Sequence, residues 1–90
     1  MKTIYKYQLD TTDEQTILMP STAKILTVQM QGLAPCIWAE VDAEQPKEYR
    51  TILTYGTGHS MKSTSQRYVG TYQIYGDNLV FHVYEEIESC

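Results

Sequence analysis

Residues 67–86 read RYVGTYQIYGDNLVFHVYEE, two apolar and aromatic runs either side of a Gly-Asp pair. Such a pair suits a two-residue hairpin turn, which needs positive φ. If Gly76 and Asp77 are the loop residues, Tyr75 faces Asn78 and paired positions sum to 153. Tyr72 then pairs with Phe81, Ile74 with Leu79 and Gly70 with Val83, which places one apolar row inside. His82 pairs with Thr71 on the other face. A three-residue loop would shift every pair by one and destroy the match, so the tighter turn is expected.

Working back from this hairpin, the same period of two recurs. Tyr49, Thr51, Leu53 and Tyr55 share one face of a strand over 49–55. Cys36 to Val41 is apolar on both faces, with Ile37, Ala39 and Val41 opposed to Cys36, Trp38 and Glu40, as expected of a central strand. Over 23–31, Leu26, Val28 and Met30 are expected on one face and Thr27, Gln29 and Gln31 on the other. QTILM stops at Pro20, and TIYKYQL (3–9) sets Tyr5, Tyr7 and Leu9 against Lys6 and Gln8. DTTDE (10–14), Gly32–Pro35 and DAEQPKE (42–48) break the pattern as turns or loops. GTGHSMKSTSQ (56–66) is the longest polar stretch and the best candidate for a mobile loop. No segment holds a helical period. The expected fold is all-β, a small antiparallel sandwich or barrel of six or seven short strands forming a single domain over 1–90.

Composition agrees. Eight Tyr stand against one Phe and one Trp, and eleven Thr, seven Ile and five Val make about a quarter of the chain β-branched. The 42% hydrophobic and 20% charged fractions are those of a folded domain. No apolar run nears the ~20 residues of a membrane helix, and MKTIYKYQLD has no secretory h-region. Seven Lys and Arg against eleven Asp and Glu give a net charge of −4, and the cations are scattered. Duplex nucleic acid is therefore not an expected partner. The acidic clusters at 40–48 and 85–88 are expected to be solvated loops or strand edges. A domain this small buries little surface, and spare Tyr and Thr on a second sheet face suit a twin subunit, so a homo-oligomer is expected.

Chemistry is sparse. Cys36 is expected as a small buried residue and Cys90 stands alone, with no CxxC and no Cys/His pair at zinc spacing. No metal, no cofactor and no catalytic set is expected, and the chain is not expected to be an enzyme. Gly56-Thr57-Gly58-His59-Ser60 is the most suggestive string, because two glycines allow close backbone approach and the Thr, His and Ser side chains offer ligand contacts. Its bland alternative is turn geometry at a strand end. His82, mid-strand, is expected to pack in the sheet. The tyrosines either fill a sheet that lacks Phe or, with Trp38, stack on a flat ligand. The expected binding residues are Thr57, Gly58, His59, Ser60, Tyr55 and Trp38, with Arg50 or Arg67 neutralising a phosphate of a small nucleotide-like ligand.

IYKY, DEQTI, AKILTVQMQ, APCIWAEVD, the Pro-bearing acidic loop, GTGH and YVGTYQ…LVFHVYE, in this order, resemble a family of small uncharacterised β-rich proteins encoded by tailed bacteriophages and prophages. The resemblance spans nearly the whole chain and implies expression in the host bacterial cytoplasm; it brings no site residues. In that setting the expected role is a non-enzymatic binding protein that counters host defence by sequestering a nucleotide-derived immune signal in a homo-oligomer. The alternatives are an inhibitor or adaptor that binds a host defence protein directly, and a virion accessory protein of the head or tail.

Overall fold

A computed structural model describes residues 1–74 and 78–87. Seven strands run in chain order: β1 (Lys2–Gln8), β2 (Glu14–Pro20), β3 (Lys24–Gln31), β4 (Ala34–Asp42), β5 (Lys47–Gly56), β6 (Gln66–Ile74) and β7 (Leu79–Glu86). They form two antiparallel sheets, β1-β4-β3 and β2-β5-β7-β6. The all-β fold expected from the two-residue periods is observed, and of the sandwich and the barrel it is the sandwich. Among the described residues none is helical.

The β6–β7 ladder follows the expected register: Gly70 pairs with Val83, Thr71 with His82, Tyr72 with Phe81 and Ile74 with Leu79. Gly76 and Asp77, the expected turn, lie outside the described residues, as does Cys90. The core lies between the sheets. Ile25, Val28, Ile37, Ala39 and Val41 from one sheet meet Met19, Ile52, Tyr72 and Val83 from the other, and Leu9 and Ala23 enter from the connections. β4 is central in its sheet, and its Ile37, Ala39 and Val41 face the core while Cys36 is buried on the opposite face.

Two details depart from the simple alternation. The β3–β4 register shifts between Ile25 and Thr27, so a bulge displaces Leu26 outward. Leu26 is exposed, and Ile25 rather than Leu26 joins Val28 in the core row. The second bulge, between Tyr68 and Gly70, lies in β6. β3 and β6, the bulged edges of their sheets, approach each other closely. A Cβ on Gly70 would stand 2.8 Å from Val28 Cγ1 and 3.5 Å from Val28 N, so glycine is needed for that approach. The β1 and β2 edges lie at the other side of the sandwich.

The tyrosines divide by place. Tyr72 is in the core, and Tyr55 is buried on the outer face of β5. Tyr5, Tyr49 and Tyr68 are exposed. Tyr75 lies outside the described residues.

A loop-covered pocket as the candidate functional site

Tyr49, Thr51, Leu53 and Tyr55 share a face of β5, as expected, but it is the outer one; Ile52 and Thr54 lie on the core-facing row opposite. Leu53 and Tyr55 are nonetheless buried, at 0% and 9% exposure, outside the main core. The 57–65 segment covers this part of the sheet. The Tyr55 hydroxyl donates to Gln66 Oε1 at 2.9 Å and accepts the Lys62 backbone N–H at 3.3 Å. Lys62 Nζ reaches Glu14 at 2.9 Å and Glu86 at 3.3 Å, joining the loop to β2 and β7. These hydrogen bonds, to Glu14 first and Glu86 second, raise the Lys62 pKa above its ordinary value. The stretch expected to be mobile is thus a tethered cover.

The Gly-Thr-Gly-His string acquires a role residue by residue. The exposed His59 ring packs on Gly56, with Cε1 2.8 Å from where a Cβ would stand, so a larger residue there would turn the ring away. Thr57 Oγ1 shares a 2.8 Å hydrogen bond with His82 Nε2, and Thr57 N donates to Val80 O. Gly58 adopts φ +89°, a region open to glycine. His82 also meets Thr71 Oγ1 through Nδ1 at 3.2 Å, and Thr71 meets the Tyr68 hydroxyl at 2.6 Å. Thr57, Gly58 and His82 therefore hold the loop to the sheet, while His59 and Ser60 are left beside a pocket.

That pocket measures about 310 Å³ and is lined by Asp13, Glu14, Thr54, Tyr55, His59, Ser60 and Lys62. It opens where β2 ends: Glu14 pairs with Leu53, and beyond it the Thr54 N–H is taken by the Asp13 carbonyl at 3.0 Å. Thr54 is only 4% exposed, and its hydroxyl is a buried polar side-chain group without a hydrogen-bond partner. A buried hydroxyl in that condition costs about 1–3 kcal/mol. Asp13, Glu14, Thr54 and Lys62 escape the sequence reading. The available signal is a threonine on the core-facing row of β5, where Ile52 shows that an apolar residue fits.

The remaining expected residues lie elsewhere. Arg50 and Arg67 converge on Glu85, which is buried: Arg50 Nε donates to Oε2 at 2.5 Å and Arg67 Nη2 to Oε1 at 2.6 Å. They line a second pocket of about 520 Å³ with Glu48, Tyr49, Thr51, Glu86 and Ile87. Both guanidinium groups are engaged by that carboxylate, and neither lines the loop-covered pocket. Trp38 lies on β4, in the other sheet, paired with Lys6 and Thr27. So Tyr55, His59 and Ser60 come together, Thr57 and Gly58 support them, and Arg50, Arg67 and Trp38 stand apart.

The family model for DUF7352, a domain of unknown function, matches residues 1–89. The chain belongs to that family. Neither the curated proteins nor the solved structures contain a match to it.

Proposed function

We propose that this chain is a non-enzymatic binding protein that holds a small, donor-rich ligand of nucleoside size in the loop-covered pocket. On the resemblance to phage-encoded proteins, its role is to withhold a nucleotide-derived defence signal in the cytoplasm of an infected bacterium. The observation that carries the binding role is the convergence of Asp13, Glu14, Tyr55, His59, Ser60 and Lys62 on one pocket beside the tethered loop.

The lining chemistry narrows the ligand class. Asp13, Glu14, Ser60 and the His59 ring offer acceptors, and the lone cation of the lining, Lys62, already meets Glu14 and Glu86. A ligand rich in hydroxyl and amino donors suits that set; a phosphate does not. At about 310 Å³ the pocket is at the small end of ligand sites, enough for one nucleoside moiety with any phosphate left outside. A binding role without catalysis is supported by His82, whose two ring nitrogens meet threonine hydroxyls rather than an orienting carboxylate.

Native mass spectrometry of the protein, purified without denaturation from infected cells, tests the reading. A retained small molecule of nucleoside or nucleotide mass supports it. A spectrum of bare protein, repeated after addition of adenosine, guanosine, ADP-ribose and cyclic dinucleotides, rejects it.

A second reading, direct capture of a host protein, is favoured by one observation. Leu18 and Tyr49 are cross-strand partners, 43% and 67% exposed on the outer face of their sheet. A pull-down from host lysate with wild type and Leu18→Asp separates the two readings, because Leu18 and Tyr49 do not line the loop-covered pocket.

A further inference from the structure

The β1 edge carries an inference independent of the ligand reading. Four strands border their sheets: β1 and β3 in one, β2 and β6 in the other. β3 and β6 each carry a bulge and close against each other, and β2 ends in Pro20. Bulges, proline, lysine and mutual cover are the usual protections of a sheet edge. β1 has no bulge, proline or cover: its seven residues run in unbroken register with β4 from Lys2↔Asp42 to Gln8↔Cys36, and Lys2 and Lys6 are the only guard on it.

Its free backbone groups can be assigned. Leu9 N–H donates to Pro35 O at 2.8 Å, so Leu9 points toward β4. Antiparallel pairing alternates, so Thr3, Tyr5 and Tyr7 also bond to β4, while Lys2, Ile4, Lys6 and Gln8 direct N–H and C=O to the open edge. The side chains are equally uncovered. Tyr5 and Tyr7 lie on the row paired with Ala39 and Ile37, the core-facing row, yet Tyr5 remains 41% exposed and Ile4, on the other face, 58%.

We propose that β1 is the interface of a two-fold homodimer, in which the β1 strands of two copies pair antiparallel about Tyr5 and join two three-stranded sheets into one. The register follows from the residues. Centring on Ile4 sets Lys2 opposite Lys6, and centring on Lys6 sets that lysine opposite itself; like charges directly opposed are destabilising. Centring on Tyr5 sets Lys2 opposite Gln8, Ile4 opposite Lys6 and Thr3 opposite Tyr7, and it alone overlaps all seven residues of the strand. The outward-directed residues then pair with one another, as an antiparallel ladder demands. Tyr5 meets its own counterpart in a non-hydrogen-bonded pair, where side chains come closest. The lysines thus exclude the registers centred on Ile4 and Lys6, and the longer overlap selects Tyr5 over Thr3 and Tyr7.

Sedimentation equilibrium of the full chain tests this with three variants. Wild type is expected to dimerise. Ile4→Pro removes an N–H that points away from β4, so it is expected to be monomeric with an unchanged circular dichroism spectrum. Gln8→Glu places a carboxylate opposite Lys2 of the second copy, and Gln8→Lys places an ammonium there. The dimer Kd is expected to fall about three- to tenfold in the first and rise by a similar factor in the second. A monomeric wild type, a folded Ile4→Pro that still dimerises, or Gln8 variants that shift Kd in the same direction would each overturn the proposal.

Discussion

Arg50 and Glu85 stand diagonally across the β5–β7 ladder, joined by a 2.5 Å hydrogen bond from the guanidinium Nε to the carboxylate Oε2. Glu85 is paired with Ile52, so the ion pair extends the core-facing row toward one end of the sheet. The Arg50 and Glu85 side chains are 16% and 5% exposed, whereas Arg67, the second partner of the carboxylate, is 52% exposed.

Removing the carboxylate leaves a mostly buried guanidinium with only the half-exposed Glu48, 3.6 Å from its Nη1. Glu85→Ala is expected to cost about 3 kcal/mol in urea unfolding, in the range for breaking one side of a buried pair. Arg67→Ala, at a half-exposed position, is expected to cost less than about 1 kcal/mol. Equal losses for the two substitutions would contradict the unequal burial on which this rests.

The hairpin register was legible because its apolar positions match in one alignment and fail in a neighbouring one, and the pairs from Gly70–Val83 to Ile74–Leu79 bear it out. The bulge that exposes Leu26 was not, because Ile25 and Leu26 are equally apolar and only packing against β4 selects between them. The glycine-rich string belongs to the loop whose His59 and Ser60 line the candidate pocket. The two arginines pair with Glu85 across 35 and 18 residues of sequence, and nothing local records that engagement. Thr54 was hidden in the run TILTY, whose two faces look alike until the sheet is assembled.

Gly70 is where β6 meets Val28 of β3. Gly70→Ala would bring its Cβ within 2.8 Å of Val28 Cγ1, and the strain is expected to cost about 1–3 kcal/mol. In a Val28→Ala background the same substitution should cost less, since the clashing methyl is gone. A double-mutant cycle by chemical denaturation measures that coupling.

The cover over Leu53 depends on one phenol. Tyr55→Phe removes both the bond to Gln66 and the acceptor for Lys62 N–H. Stability is expected to fall by only about 1 kcal/mol, because the ring stays buried. Hydrogen exchange should nonetheless accelerate selectively over residues 57–65, and uniform acceleration across all strands would contradict the tether.

Alkaline pH should loosen the fold for two stated reasons. Burial pushes the Tyr72 hydroxyl above its ordinary value of 10.0, against the weaker opposing effect of its bond to Thr11. Hydrogen bonds to Glu14 and Glu86 push Lys62 above 10.5. Both groups hold their protons longer in the folded state, so their contribution is complete below the unfolded values and is lost as pH rises through the folded ones. Thermal unfolding followed by circular dichroism should give a melting temperature without any loss from these two groups between neutral pH and about pH 10, then a decline. Tyr72→Phe should make that decline shallower.

The loop-covered pocket takes a small donor-rich ligand on this reading. Ser60 lines it from an exposed loop position, so a bulky side chain there fills the pocket without entering the core. Calorimetric titration of wild type and Ser60→Trp with adenosine, guanosine and ADP-ribose, beside their thermal melts, measures this. The variant is expected to melt as wild type does and to bind about tenfold more weakly. A wild type that takes up none of these compounds, or a variant that binds them equally well, rules the pocket out as the binding site.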